Sequence, residues 1–506
     1  MTGALLQLSA KGKQDVYLTG NPQITFFKSI HKRYTSFSME SIMLNFIGTI
    51  NFGRKINCTI SKSGDLIHKM YLVIELPEID CETSEVNKFR WVNWLGHVLI
   101  KSVSIEIGGQ KIDEHYGEWL HIWNELSQKE GKKTGYATLV GNTPRLTQVV
   151  QGNLNNNNSN KIPANKLYIP LQFWFCKNPG LALPIIALGN NDIKITVELR
   201  EHQHCYWATG KYKDNPPEII NATLYVDYIN LDVDERRTFS QASHDYLIEQ
   251  LQFNGQEIIN TQTNKIKLNF NHPIKELIWI VQPISNVDLS YTENIGGPQH
   301  FNYTDNIDKT YFSGTPNHPY GGGMSGNHSN NISWGLPVSN NGANVNINGS
   351  TLITPLSGQN NNLQLTNNNF YDITTPSINT DQATTTSHNL NLFDKGNSPV
   401  TEAKIQMNGQ DRITYKDFNY FNIIQPFQHH TNIPAIGINL YSFSLYPEDF
   451  QPSGSCNYSV IDSSYLLFKI TNESITEQRK CYIRIYATNY NILNISTGIG
   501  RLSYNK

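Results

Sequence analysis

The feature that most constrains this 506-residue chain is an internal duplication. Four short apolar blocks of the first half recur loosely, in the same order, in the second. Ile67–Pro77 is echoed by Ile274–Pro283, and Ile105–Gln110 by Ile405–Gln410. Leu171–Phe175 has a looser counterpart in Ile438–Leu445, and Leu224–Ile229 one in Cys481–Tyr486. Every block is rich in β-branched and aromatic residues and reads as a strand. Two all-β units of one plan point to architecture rather than chemistry, because a doubled shape suits the tiling of a surface.

The chain is too long for one core, so two or three domains are expected. Hydrophobic residues make up 38% and charged residues 16%. Both shares are low, and Asn, Thr, Ser and Gln take up the difference. The 26 Tyr and 21 Phe are enough to fill sandwich cores. The formal net charge is −2, whereas a chain that neutralises nucleic acid is strongly basic, so no direct nucleic-acid partner is expected. Six cysteines without a Cys-x-x-Cys pair are too sparse for a disulfide scaffold and read as free buried thiols. The first residues lack the pattern of a secretory signal, and no apolar run reaches the ~18 residues of a membrane span. Cytosol-like surroundings are therefore expected.

Residues 1–40 read as an arm carrying a short basic amphipathic helix. Asn21 can cap it and Pro22 suits its first turn. Phe26, Phe27, Ile30 and Tyr34 follow at helical spacing as a candidate buried stripe, with Lys28, Lys32 and Arg33 on the other faces. Such a helix meets a membrane surface, nucleic acid or a partner protein, or packs on its own domain with its charges solvated. Residues 41–235 read as a first β domain, 236–250 as a linker opened by the charged run at 232–237, and 251–506 as a second β domain. Gly108-Gly109 and Asn408-Gly409 are hairpin signals, each followed by an aromatic cluster. The first cluster (Trp119, Leu120, Ile122, Trp123, Leu126) has helical spacing and predicts a short helix capping the sandwich. The second domain differs from the first by a long insertion at about 285–403, rich in Asn, Gly, Ser and Thr. It predicts a large surface excursion.

No catalytic kit stands out. On a strand, His202 and His204 would face one way, but a metal site would need further ligands; polar residues on a sandwich face are the plainer reading. The glycine run Gly321–Gly326 lacks the strand-then-helix context of a phosphate cradle. No catalytic residue, metal or cofactor is expected. Asn-x-Ser/Thr sequons cluster in the insertion at Asn302, Asn327, Asn331 and Asn348, as candidate glycan sites on an outer surface.

Several longer stretches carry a family likeness. Gln14–Lys28 (QDVYLTGNPQITFFK) resembles the N-terminal signature of the major capsid proteins of nucleocytoplasmic large DNA viruses, the group of the algal and giant viruses. Asp234–Phe239 with His244–Gln250 resembles that family's interdomain segment, and Tyr446–Gly454 with Tyr486–Asn491 its C-terminal domain. The insertion matches no pattern of the family. The resemblance implies two tandem eight-stranded antiparallel jelly rolls and a structural, non-enzymatic role in the virion. It implies a homotrimer that mimics a sixfold tile in an icosahedral shell, assembled in the host cytoplasm. Implied partners are neighbouring capsomers, minor capsid and penton proteins, and the internal virion membrane through the N-terminal arm. On that reading Phe26, Phe27, Lys28, Ile30, Lys32, Arg33 and Tyr34 form an inner-shell contact. The competing readings are a minor capsid or spike protein and a jelly-roll carbohydrate-binding or hydrolase protein.

Overall fold

The computed structural model describes residues 3–82, 87–152, 161–293, 296–305, 397–471 and 480–504, with the short pair Gln364–Leu365 and Ile373–Thr374. The first half is built on β1 (Phe37–Asn45), β2 (Lys55–Thr59), β3 (Leu66–Leu76), β4 (Ile100–Ile107), β5 (Gln110–Tyr116), β6 (Asn165–Pro170), β7 (Ile193–Leu199) and β8 (Asn221–Leu231). The second half is built on β9 (His244–Ile259), β10 (Thr263–Lys267), β11 (Pro273–Pro283), β12 (Val400–Met407), β13 (Gln410–Asp417), β14 (Ile438–Ser442), β15 (Ser464–Ile470) and β16 (Cys481–Ser496).

The strand orders state the duplication outright. The first half has sheets β1-β8-β3-β6 and β2-β7-β4-β5; the second has β9-β16-β11-β14 and β10-β15-β12-β13. Every pairing on these paths is antiparallel, and each strand's counterpart is the one eight places later. This is the Greek-key winding of a jelly roll, made twice. Short accessory strands enlarge the sheets: Leu183–Pro184 joins β3, Cys456–Asn457 joins β11 and Ile499–Leu502 joins β16. Each half thus has two four-stranded through-paths with accessory strands beside them.

Alternating residues of facing sheets fill each core. In the first half these include Met70, Leu72 and Ile74 of β3 from one sheet and Ile105 of β4 with Ile195 and Val197 of β7 from the other. In the second they include Leu277, Trp279 and Val281 of β11 from one sheet and Ile405 of β12 with Leu466 and Phe468 of β15 from the other. Both hairpin signals form tight turns with two left-handed residues, Gly108 (φ 56°) and Gly109 (φ 80°), Asn408 (φ 47°) and Gly409 (φ 81°). That is the geometry that matches strand twist.

The structure departs from several expectations. Leu171–Phe175 is not a strand: β6 ends at Pro170, and the chain turns into the helix Trp174–Lys177, burying Phe173, Trp174 and Phe175 in the first core. The true counterpart of β14 is β6. The charged linker is largely ordered: a helix spans Val233–Gln241, capped by the Asp232 carboxylate, and β9 starts at His244, inside the stretch assigned to the linker. His202 and His204 sit in a single 3-10 turn rather than on a strand.

The helix expected over Ile24–Tyr34 is absent. Two short helices, Gly3–Ser9 and Val16–Thr19, precede it, and the segment itself is turn and coil. Asn21 is left-handed (φ 51°) instead of the extended conformation of an N-cap. Phe26, Phe27, Ile30 and Tyr34 are 83–98% exposed, so within one chain they form no buried stripe. A helix this short is marginal in water unless its apolar face packs on something.

The long excursion leaves and re-enters the second domain through one gate. Gln282 and Asn286 donate to the carbonyls of His300, Asn302 and Thr304, fixing the outgoing segment. Asp305 and Asn397 then bond to each other, backbone N–H to carbonyl at 2.9 Å and N–H to carboxylate at 2.7 Å. Asn302 belongs to this gate. It is buried, its Nδ2 donates to Gln299 and its Oδ1 accepts from the Thr304 N–H and hydroxyl. A glycan there would have to displace those bonds, so Asn302 is not an outer glycan site. Asn327, Asn331 and Asn348 lie outside the described residues.

Candidate functional site

For a chain whose described residues bring together no metal-holding cluster of His, Cys, Asp and Glu, the informative site is the joint between its halves. The joint is built on α1 (Gly117–Ser127), the helix the aromatic spacing predicts. It starts where β5 ends, with Gly117 pressed on backbone: a Cβ there would meet the carbonyl oxygen of His97 at 1.9 Å and that of Ile100 at 2.3 Å. Only glycine permits this approach. Of the predicted cluster, Leu120 points into the first core. Trp119, Ile122, Trp123 and Leu126, at positions i, i+3, i+4 and i+7, pack instead on the outer face of the second domain's sheet. There they meet Ile278 and Ile280 of β11, Ile438 and Leu440 of β14, and Tyr486 of β16. The helix therefore joins two sandwiches rather than capping one. It also explains why β11 is buried on both faces while β3 is not.

A polar lock sits inside this apolar contact. The Glu118 carboxylate pairs with Arg484 at 2.7 Å and accepts from the hydroxyls of Tyr486 at 2.6 Å and Tyr303 at 3.4 Å. Arg484 also donates to Gln256 and Gln282. Beside it, Lys177 of the first half and Lys275 of the second share Glu249, at 3.1 and 2.5 Å, and Lys177 lies over the Trp123 ring at 3.9 Å. Burial pushes the Glu249 carboxyl up, but the two lysines outweigh it and hold it below the ordinary range. His430 lies between Glu276 and Glu448, 2.9 Å from each. Burial disfavours its charge, yet the two carboxylates raise it to about 9, so it stays protonated.

A second contact surrounds Phe301, which stacks on His121 (ring centroids 4.1 Å apart) and meets His97 edge-on. His97 bonds the Tyr136 hydroxyl at 2.8 Å, and His300 the His204 carbonyl at 3.0 Å. Burial drives His97 down to about 3 and His121 and His300 well below the ordinary range, so all three are neutral.

The arm residues singled out in the sequence lie outside this joint, on the exposed N-terminal segment. Sequence reasoning missed Glu118, Arg484, Lys177, Glu249 and Lys275. One signal was present: Arg484 is a lone charge in the apolar block Cys481–Tyr486, and Glu118 one beside a tryptophan.

Two family models match the chain. Residues 25–232 match the major capsid protein N-terminus, and residues 235–501 the large eukaryotic DNA virus major capsid protein. The two matches divide at the helix Val233–Gln241. The chain is 43% identical over 540 residues to the major capsid protein of Phaeocystis pouchetii virus, with 100% of both chains covered. It is 33% identical over 528 residues to that of Paramecium bursaria Chlorella virus 1, again with 100% of both covered. Among solved structures it is similar to a chain of the PBCV-1 virus capsid quasi-atomic model, with TM-score 0.64, 27% identity, and 95% of this chain and 100% of that one covered. The Faustovirus major capsid protein shares the fold at TM-score 0.62 and 12% identity, over 97% of this chain and 96% of that one.

Proposed function

Since this chain belongs to the large eukaryotic DNA virus major capsid protein family, a structural and not an enzymatic one whose members build the virion shell with neighbouring capsomers, we propose that it works as a homotrimeric, pseudo-hexagonal tile. The observation that carries this reading is the welded pair of like sandwiches: two domains of one strand order, held by α1 and the Glu118–Arg484 lock. Three copies of such a pair supply six similar domains, and cyclic closure leaves no loose edge within the block. A chain with net charge −2 suits dense packing, because neighbours repel little. The long excursion at 306–396 stands on the outer side, with Asn327, Asn331 and Asn348 as its candidate glycan positions.

The N-terminal arm faces inward on this reading. Phe26, Phe27, Ile30 and Tyr34 are apolar and uncovered, and Lys28, Lys32 and Arg33 flank them. Such a segment orders on contact with minor capsid or penton proteins, or with an internal membrane surface. Assembly takes place in the host cytoplasm. The test is the solution mass of the full chain, which should be three times its 57.5 kDa. A chain that stays monomeric at high concentration refutes the tile.

A further inference from the structure

The joint inside the chain leaves one plug and one socket unused. On the second sheet, a row crosses four strands: Phe253 of β9 lies opposite Tyr486 of β16, Tyr486 opposite Ile278 of β11, and Ile278 opposite Leu440 of β14. The α1 stripe covers this row. The first sheet has the corresponding row at the corresponding register: Met43 of β1, Tyr225 of β8, Tyr71 of β3 and Pro170 of β6. It too is apolar and aromatic, yet among the described residues nothing covers it as α1 covers its twin. Met43 is 56% exposed, and Tyr71, Tyr225 and Pro170 are half-buried.

The missing plug is also on the chain. After β13, a π-helical turn Tyr420–Ile424 runs into the helix Gln425–His429, at the place where α1 follows β5. Phe421 points into the second core as Leu120 points into the first. Ile423, Ile424 and Phe427 then repeat the spacing of Ile122, Trp123 and Leu126, while Tyr420, in the place of Trp119, is half-buried against its own core. Phe427 is 77% exposed, and Ile423 and Ile424 are also exposed.

We infer that the 420–429 stripe of one copy docks on the Met43–Tyr225–Tyr71–Pro170 row of a second copy, repeating between chains the contact that α1 makes within one. The inference rests on the trimeric reading and deepens it by naming the two faces. The occupant is another copy of this chain because the two unused faces match the two used ones in order, register and chemistry. A one-way contact of this kind forms a ring if its rotation closes and a filament if it does not. If the turn between chains equals the turn between domains, six domains close on three chains.

Phe427→Asp and Met43→Asp test it, since both side chains are exposed and neither substitution should disturb the fold. Aromatic and apolar anchors at the centre of such a contact are expected to change the dissociation constant by roughly 30-fold or more. Each variant should therefore run as a monomer where the wild type is trimeric, with an unchanged circular dichroism spectrum. A second measurement does not depend on loss of assembly. Asp417 and Met43 occupy the places of Tyr116 and Phe253, whose rings are 5.0 Å apart in the internal joint. The double variant Asp417→Cys with Met43→Cys, treated with a short bis-maleimide, should give covalent dimers and trimers that neither single variant gives. A wild-type trimer with both aspartate variants still trimeric and no ladder overturns the docking inference but leaves the trimer standing. A monomeric wild type overturns both.

Discussion

Glu118→Ala should loosen the two halves from each other without unfolding either alone. The Glu118 side chain is 11% and the Arg484 side chain 12% exposed, so removal of the carboxylate strands a guanidinium in a nearly dry contact. Breaking one side of a buried ion pair costs about 3–5 kcal/mol. The hydroxyls of Tyr486 and Tyr303 lose their acceptor as well, which favours the upper part of that range. At ~2–4 °C per kcal/mol for units of this size, the melting temperature should fall by roughly 10 °C. The informative readout is calorimetric: one transition in the parent should split in two, with faster protease cleavage in the 232–243 segment. Glu118→Ala combined with Arg484→Met removes both charges, keeps much of the volume, and should recover most of the loss. A single transition within ~1 °C of the parent, or a double variant as unstable as the single one, would refute the reasoning that this pair locks the joint.

Stability should peak near neutral pH. His97, His121 and His300 are neutral in the fold and their affinities for protons are depressed. Unfolded histidines bind protons below ~6.5, so stability is lost as pH falls from there toward 3. His97 alone costs about 2 kcal/mol at pH 5. His430 works in the opposite sense: its contribution is complete below ~6.5 and is lost as pH rises through about 9. A melting temperature flat from pH 4 to 9 would contradict both assignments. Gly117→Ala should destabilise by at least ~2 kcal/mol in chemical denaturation, because the new methyl meets backbone carbonyls that cannot move aside; a neutral result would mean that β5 and α1 separate freely. Phe27→Asp combined with Ile30→Asp should leave trimer mass unchanged but impair shell formation, read by electron microscopy of assembled particles; normal shells would remove the arm's inner-contact role.

The duplication was legible because a buried strand leaves its pattern in few residues. Ile67–Pro77 and Ile274–Pro283 became β3 and β11, and the Gly-Gly and Asn-Gly pairs became the turns they suggested. The third block failed because Leu171–Phe175 is as apolar as a strand, and periodicity cannot tell a buried strand from a buried turn of helix over five residues. The arm failed for another reason. Phe26, Phe27, Ile30 and Tyr34 have helical spacing, but spacing states which face would be buried and not whether a surface exists to bury it. The stripe on α1 has the same spacing and does form, because β11, β14 and β16 offer it a floor. That floor lies 150 residues or more further along the chain, and no local window contains it. Glu118 and Arg484 each left a local signal as a lone charge in apolar surroundings, but their pairing spans 366 positions and was out of reach for the same reason.

The bonds that pinch Asp305 against Asn397 have a consequence for how such a shell diversifies. They bring departure and return to one point, so the sandwich below senses only two anchored ends and not what is strung between them. The entropy of closing such a segment grows only with the logarithm of its length. Mutation is free to lengthen, shorten or rewrite that segment while the sandwich beneath the two anchored ends keeps its outline.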